Sequence, residues 1–142
     1  MKSKILLRIS AVLIAIHAIG HSVGFLSWKD HVNATYDEVV KQMTGPKFPF
    51  MGASHSLGDY YDGFGLVITL ALILCSWFLF MAANMTDDDH RSIATRMLLP
   101  LSAYLVGQGI IEIIYFFPFA AGLSLLAAAL AIVVMFQLMR AD

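Results

Sequence analysis

Residues 5–26 read ILLRISAVLIAIHAIGHSVGFL, and the interpretation of the whole chain begins with this stretch. Leu, Ile, Ala and Val dominate it, and its length meets the roughly 17–25 residues that a membrane-spanning helix needs. Two histidines, His17 and His21, interrupt the apolar run one helical turn apart. An ionised side chain at the centre of a membrane helix costs about 2.5–3.5 kcal/mol, and such residues usually face a protein interior or a cavity. The stretch therefore predicts a membrane helix with one polar face.

The composition of the whole chain also indicates a membrane protein. Of the 142 residues, 59% are hydrophobic, and the mean hydropathy is +0.76. Soluble domains contain about 45–50% apolar residues, so this chain has too few polar residues to cover a water-soluble globule. The net charge of −1 and the lack of a basic stripe argue against nucleic acid as a partner. Cys75 is the single cysteine, which excludes an internal disulfide and a cysteine-based metal site.

Four apolar segments are long enough to span a membrane, namely residues 5–26, 61–83, 93–117 and 119–139. None of them alternates apolar and polar residues as a barrel strand does. Helices satisfy their own backbone hydrogen bonds, as a lipid environment requires. We therefore predict an all-α fold in which residues 1–142 form a single integral membrane domain, a bundle of four transmembrane helices.

The connections between these segments differ in length and chemistry. Residues 27–60 are expected to form a long extracytoplasmic loop that contains a short amphipathic helix at residues 36–43. Within this loop, Phe48-Pro49-Phe50 is expected to be irregular, with its aromatic rings at the membrane interface. Thr86 precedes three aspartates, a pattern that predicts a helix start with a capping hydroxyl and acids near the positive end of the helix dipole.

The basic residues predict the orientation of the helices, because cytoplasmic loops carry an excess of Lys and Arg. With both termini and the connection between the second and third helices on one side, that side has six basic residues: Lys2, Lys4, Arg8, Arg91, Arg96 and Arg140. The opposite side has three: Lys29, Lys41 and Lys47. We therefore expect both termini in the cytoplasm and the long loop outside.

In this topology, three segments place their polar residues at one depth, near the outer surface. Each set recurs at helical spacing and so lies on one helix face. The sets are His17, His21 and Gly24; His55, Asp59 and Asp62; and Tyr104, Gln108, Glu112 and Tyr115. The fourth segment has only Ser124 and Gln137 as polar residues and is expected to be a packing wall. The pattern predicts an outward-facing polar pocket within the membrane.

Each residue of this pocket has an expected role. Imidazole nitrogens and carboxylate oxygens suit zinc, iron or manganese. The expected metal ligands are His17, His21, His55, Asp59 and Glu112. Glu112 and Asp59 are also the candidates for acid/base catalysis. The residues expected to contact a cofactor or ligand are Gln108, Tyr104, Tyr115 and Asp62.

Several functions fit this pocket, and whether the chain is an enzyme stays open. The first is binding of a divalent metal ion or of a small apolar ligand, such as a lipid-like or quinone-like molecule, with or without acid/base catalysis. Haem held by His17 or His21 together with His55 has less support, since the nearby acids do not suit haem propionates. In a further alternative, the polar residues only fix the helix register, and the chain is a non-catalytic subunit or scaffold in a homo-oligomer or a larger membrane complex.

Three strings carry a resemblance to known proteins: HAIGHSVGF at 17–25, KFPFMGASHSLGDYYDGFGL at 47–66 and GQGIIEIIYFFP at 107–118. They resemble a family of small, uncharacterised bacterial membrane proteins with four predicted helices. The resemblance implies this topology and a bacterial origin. Together with the four apolar segments, we therefore expect a multi-pass protein of the bacterial inner membrane.

The chain is also similar to the EXPERA, or sterol isomerase-like, bundles and, in size and helix count, to DoxX-like four-helix proteins. EXPERA proteins gather histidine and acidic residues from their first three helices and shift a double bond by proton transfer. The similarity implies comparable roles for His17, His21, Asp59 and Glu112. The chain departs from that pattern at His21, where a histidine–glutamate pair would be closer to it, and lacks the aromatic-rich motif of the fourth helix.

Overall fold

The computed structural model describes residues 2–87 and 89–140. The elements are α1 (Lys2–Leu26), α2 (Ala34–Thr44), β1 (Phe48–Phe50), β2 (Ala53–His55), α3 (Leu57–Asn84), α4 (Arg91–Tyr115) and α5 (Pro118–Arg140). Within the described residues, α1, α3, α4 and α5 are long and apolar enough to cross a membrane. The prediction of an all-α fold with four membrane-length helices is confirmed, and the helix ends differ from the predicted bounds by at most four residues.

The chain divides into two compact units that share α1 and α3. We call Met1–Ala18 with Ala71–Asp142 the terminal unit, and Ile19–Leu70 the central unit. The terminal unit contains most of α1, the second half of α3, and α4 and α5. The central unit contains the end of α1, the connection and the beginning of α3.

The core of the terminal unit combines large residues from three helices with small residues from α5. Leu7, Leu72 and Leu105 are fully buried, as are alanines along α5. Small residues allow helix backbones to approach closely, and this is how membrane helices gain packing energy without a hydrophobic driving force. A hydrogen bond joins α1 to α5, since the Ser10 hydroxyl donates to the Ala127 carbonyl at 2.8 Å.

One end of the terminal unit holds the start of α1 and the ends of α3 and α5. The Ser3 hydroxyl donates to Gln137 Oε1 at 3.0 Å, and the Arg8 guanidinium donates to Asn84 Oδ1 at 3.5 Å. The Arg8 guanidinium also lies 5.5 Å from the centroid of the Phe80 ring. The start of α1, the end of α3 and the end of α5 therefore lie at the same end of the terminal unit, as the predicted topology requires.

The connection between α3 and α4 differs from the prediction that Thr86 caps the next helix. Thr86 does not cap α4, because its hydroxyl donates backward to the Ala83 carbonyl at the end of α3. α4 begins only at Arg91. The N-cap position is His90, and no side chain of the described residues caps the helix there. Asp87 instead closes the turn before α4: its Oδ1 accepts the His90 backbone N–H at 3.1 Å and the His90 ring N–H at 2.7 Å. These hydrogen bonds from His90, the ring contact first, hold the pKa of the Asp87 carboxyl below its usual range.

This lowered pKa predicts an acid-sensitive connection. A carboxyl whose pKa is lower in the folded state contributes stability above its unfolded pKa of about 3.9, and that contribution is lost as the pH falls through the folded value. We expect Asp87→Asn to reduce the loss of thermal stability when the pH of the detergent-solubilised protein is lowered from about 6 to about 3. The matched control is Asp89→Asn, two residues along. An equal effect of both substitutions would show that the His90 contacts are not responsible.

The central unit contains more regular structure than an irregular loop. The predicted amphipathic helix is present as α2, capped by the Asn33 side chain, which accepts the Tyr36 backbone N–H at 2.9 Å. The prediction that Phe48-Pro49-Phe50 is irregular is wrong, because these residues form β1, antiparallel to β2. The turn residues Met51 and Gly52 have φ of 47° and 87°. Two successive positive φ values are typical of a type I′ hairpin turn, which a Met-Gly pair signals less clearly than Asn-Gly.

α3 begins four residues earlier than predicted because of reciprocal capping bonds. The Ser56 backbone N–H donates to Asp59 Oδ2 at 2.8 Å, and the Asp59 backbone N–H donates to Ser56 Oγ at 3.1 Å. This is the capping-box arrangement, with aspartate in the place of glutamate or glutamine. The Ser56-Leu57-Gly58-Asp59 spacing was a sequence signal for this helix start.

Candidate functional site

A buried histidine–carboxylate pair lies in the terminal unit. His17 on α1 and Glu112 on α4 approach with 3.3 Å between Nε2 and Oε1, and each side chain is 6% exposed. A histidine or glutamate side chain that faces lipid from a membrane helix costs several kcal/mol. Because His17 and Glu112 are paired, each gives the other a polar partner away from lipid. The structure therefore brings together two of the residues predicted for the pocket, from segments far apart in the chain.

Two further side chains complete this cluster, which we call the His17–Glu112 cluster (His17, Gln108, Glu112 and Ser124). Gln108, one turn before Glu112 on α4, donates its side-chain amide N–H to Glu112 Oε1 at 2.8 Å. Ser124 Oγ on α5 lies 3.1 Å from His17 Nδ1. Three membrane-length helices thus contribute to one hydrogen-bonded network.

The network accommodates both protonation states of His17. With the ring proton on Nε2, His17 donates to Glu112 Oε1 while the Ser124 hydroxyl donates to Nδ1. When both ring nitrogens carry protons, Nδ1 donates and Ser124 Oγ accepts. Since a hydroxyl can donate or accept, the Ser124 contact is possible in both states. This arrangement suits a group that exchanges protons.

The second carboxylate oxygen of Glu112 has unused capacity. Oε1 accepts the Gln108 amide N–H and lies 3.3 Å from His17 Nε2, whereas Oε2 is buried and has no hydrogen-bond partner among the described residues. A buried acceptor left unsatisfied costs about 1–3 kcal/mol, and native proteins contain few of them. Glu112 lies in the last turn of α4, which ends at Tyr115, so this oxygen is near one end of the helix. A ligand donor or a proton can occupy it.

Ser124 was not predicted as a site residue, and α5 is not purely a packing wall. A signal for Ser124 was present in the α4–α5 connection. Pro118 begins α5, and Glu112 and Ser124 lie at equal distances along the chain before and after it. In an antiparallel helix pair joined by so short a turn, residues equidistant from the turn lie at the same depth. Ser124 therefore had to be level with Glu112.

His21 belongs to the central unit and has a different environment from His17. Its Nε2 lies 3.2 Å from the Gly65 carbonyl on α3, and its ring stacks on Phe25 with 6.4 Å between centroids. A Cβ at Gly65 would overlap the Phe25 ring, so glycine is what permits this close approach. His21 thus joins the end of α1 to the beginning of α3.

His55 and Asp59 lie near each other in the central unit, but with little burial. His55 Nδ1 is 3.7 Å from Asp59 Oδ2, and the two side chains are 52% and 48% exposed. Asp59 Oδ2 is the same oxygen that caps α3 by accepting the Ser56 N–H. The capping bond gives Asp59 a structural function, and its predicted roles in metal binding and catalysis stay predictions.

Asp62 holds an aromatic and basic pair at the start of α3. The Trp28 indole N–H donates to Asp62 Oδ1 at 2.7 Å, and the Lys29 ammonium pairs with Oδ2. Trp28 also packs against the Tyr61 ring at 4.7 Å between centroids. Such aromatic and basic anchors are typical of the membrane–water interface. The contacts of Asp62 therefore fix the chain as it leaves α1, and its predicted ligand-binding role stays a prediction.

The two predicted tyrosines, Tyr104 and Tyr115, are more exposed than His17 and Glu112. Tyr104 is 40% exposed on α4, and Tyr115, the last residue of that helix, is 75% exposed. Of the nine predicted site residues, the terminal unit places His17, Gln108 and Glu112 in one cluster. In the described part of the chain, no group of three or more His, Cys, Asp or Glu side chains could hold a metal ion.

Comparison with protein-family models, with curated proteins and with solved structures found no match for this chain.

Proposed function

We propose that this chain is a multi-pass membrane protein that binds a small, largely apolar molecule through a hydroxyl or N–H group, with His17 and Glu112 as a proton donor–acceptor pair. One observation carries the proposal. Glu112 Oε2 is buried in a membrane-length helix without a hydrogen-bond partner among the described residues, while Oε1 of the same carboxylate accepts from Gln108 and is paired with His17. An oxygen of this kind is a specific acceptor for a ligand donor.

The class of ligand follows from the surroundings of the cluster. Glu112 lies in a membrane-length helix, and its sequence neighbours Ile110, Ile111, Ile113 and Ile114 are exposed on the outer faces of that helix. A molecule that reaches Glu112 from the surrounding lipid is therefore more readily an apolar one with one or two polar groups than a charged metabolite. Lipid-like and quinone-like molecules have this character. His17 can pass or receive a proton through Glu112 Oε1, because the two groups are already paired.

The proposal includes an orientation. The described start of α1 and the end of α5 lie at one end of the terminal unit, and the basic residues are concentrated there. The positive-inside rule then assigns that end to the cytoplasm of a bacterial inner membrane. His17 and Glu112 lie toward the opposite, outer side, and by the same rule the connection between α1 and α3 is extracytoplasmic.

The first test is to identify the small molecules that are extracted from the membrane together with the protein. The full chain is extracted with its native lipids in polymer-bounded discs, and its small molecules are compared by mass spectrometry with those of Glu112→Gln. Glutamine keeps the size of the side chain but cannot exchange a proton. We expect one apolar compound with a hydroxyl or N–H group to be enriched in the wild type and depleted about tenfold in Glu112→Gln. The matched control is Glu38→Gln on exposed α2. Identical extracts from all three proteins would contradict the proposal.

Metal and haem are tested on the same preparations. Elemental analysis and an absorption spectrum detect zinc, iron, manganese or haem, and a stoichiometric metal that is lost in His17→Ala and retained in His31→Ala would favour the metal alternative.

A chain that is isolated only together with other membrane proteins would favour the scaffold alternative. Its exposed apolar residues on α5, such as Leu126, Val133 and Phe136, would then be the partner surface.

A further inference from the structure

The β-hairpin of the central unit has an aromatic face that no other part of the described chain covers. Phe48 pairs with His55 and Phe50 with Ala53, and side chains at alternate strand positions share a face. Phe48 and Phe50 are 50% and 65% exposed, and Met51 in the turn is 91% exposed. A two-stranded hairpin is at best marginally stable in water without a layer packed against it. An apolar partner for this face is therefore required.

The position of the hairpin along the chain identifies that partner. β2 ends at His55, and the membrane-length helix α3 begins at Leu57. α3 has 28 residues. At a rise of 1.5 Å per residue such a helix is about 42 Å long, whereas the hydrocarbon core of a bilayer is about 30 Å thick. The ends of α3 therefore reach the headgroup regions, and the hairpin that precedes α3 lies at that level.

The first turns of α3, which follow the hairpin directly in the chain, also expose apolar side chains. Leu57 and Phe64 are 53% and 67% exposed. The Trp28–Tyr61 ring pair lies beside the same turn of α3, and such aromatic pairs mark the membrane interface. The hairpin thus directly precedes a part of α3 that exposes apolar residues and holds an interfacial aromatic pair, which favours lipid as the partner of the hairpin face.

We infer that the β-hairpin lies against the bilayer interface, with Phe48 and Phe50 at the boundary between lipid headgroups and acyl chains. The turn is consistent with this function. Met51 adopts a positive φ, which disfavours side chains, yet the residue there is a flexible apolar one at the tip. This lipid contact is independent of the ligand proposed for the His17–Glu112 cluster.

Fluorescence quenching by lipid tests the inference on the full chain. In a Cys75→Ala background, which removes the single cysteine, Phe50→Cys is labelled with a small fluorophore and reconstituted in phosphatidylcholine nanodiscs. Some discs contain lipid with a spin label on the upper acyl chain. We expect quenching at residue 50 to be at least about threefold stronger than at the control Glu38→Cys, because interfacial side chains lie within the depth of that label. The Glu38 side chain is 59% exposed on α2.

Met51→Cys provides a second position if Phe50→Cys perturbs the hairpin. Equal quenching at residues 50, 51 and 38 would overturn the inference. So would weak quenching at residue 50 combined with cross-linking of residue-50 cysteines between copies, since a second protein chain would then cover the aromatic face. Strong quenching at residue 50 or 51, but not at 38, supports lipid as the occupant.

Discussion

Replacing Glu112 by leucine should destabilise the protein by about 3 kcal/mol, and adding His17→Leu should recover part of that loss. The single substitution leaves the buried His17 ring without its carboxylate and Gln108 without its acceptor. The double substitution removes both members of the pair, and apolar replacements of buried ionic pairs are often tolerated. We therefore expect a coupling free energy of about 1–3 kcal/mol from a double-mutant cycle, measured by unfolding of the micelle-solubilised protein with a denaturing detergent.

The chain offers a matched control for this cycle. His31 and Asp37 form another histidine–carboxylate pair, with 2.6 Å between Nδ1 and Oδ2, but their side chains are 75% and 44% exposed. Exposed ion pairs contribute about 0–1 kcal/mol, because water screens them and the side chains lose entropy. The same cycle at His31 and Asp37 should thus give little coupling. Equal coupling at the two pairs would mean that burial does not strengthen the His17–Glu112 interaction.

Gly109→Ala should destabilise the packing of α4 against α5 by about 1–3 kcal/mol, as overpacked cores commonly do. A Cβ at Gly109 would lie 2.6 Å from Cγ and Cδ2 of Leu125, well inside van der Waals contact. Leu125 or the helix backbone must move to make room. Because Ser124 precedes Leu125 and contacts His17, such a shift should also disturb the His17–Glu112 cluster. The measurement is again detergent-induced unfolding.

Gly107→Ala is the control on the same helix. A Cβ at Gly107 would meet nothing within 4 Å, so the substitution should be neutral or gain up to about 1 kcal/mol of helix propensity. Leu125→Ala in the Gly109→Ala background should restore part of the loss by making room for the new methyl group. Similar losses from Gly107→Ala and Gly109→Ala would show that helix flexibility, rather than contact with Leu125, explains the effect.

Helical spacing and depth in the membrane predicted which site residues share a face and a level, but not which of them are in contact. Gln108 and Glu112 share a helix face at i and i+4, and their depth relative to His17 followed from the predicted topology. Ser124 was missed because a lone serine in an apolar helix usually bonds its own backbone, and its spacing from Pro118 indicates its depth but not its contact with His17. Asp59 illustrates the opposite problem. Its spacing from His55 indicated a ligand, while its spacing from Ser56 indicated the capping bonds that the structure contains.

The amino-acid sequence was sufficient for the four membrane-length helices, because hydropathy over a span of that length depends only on composition and not on the neighbouring elements. Tertiary structure alone determined that Glu112 Oε1 lies beside both Gln108 and His17, that Ser124 contacts His17, and that Phe48 and Phe50 form an exposed strand face. Hydrogen bonds depend on distances of a few ångströms and on angles between groups. Helical periodicity assigns a residue to a face, but only packed backbones bring two faces within that range.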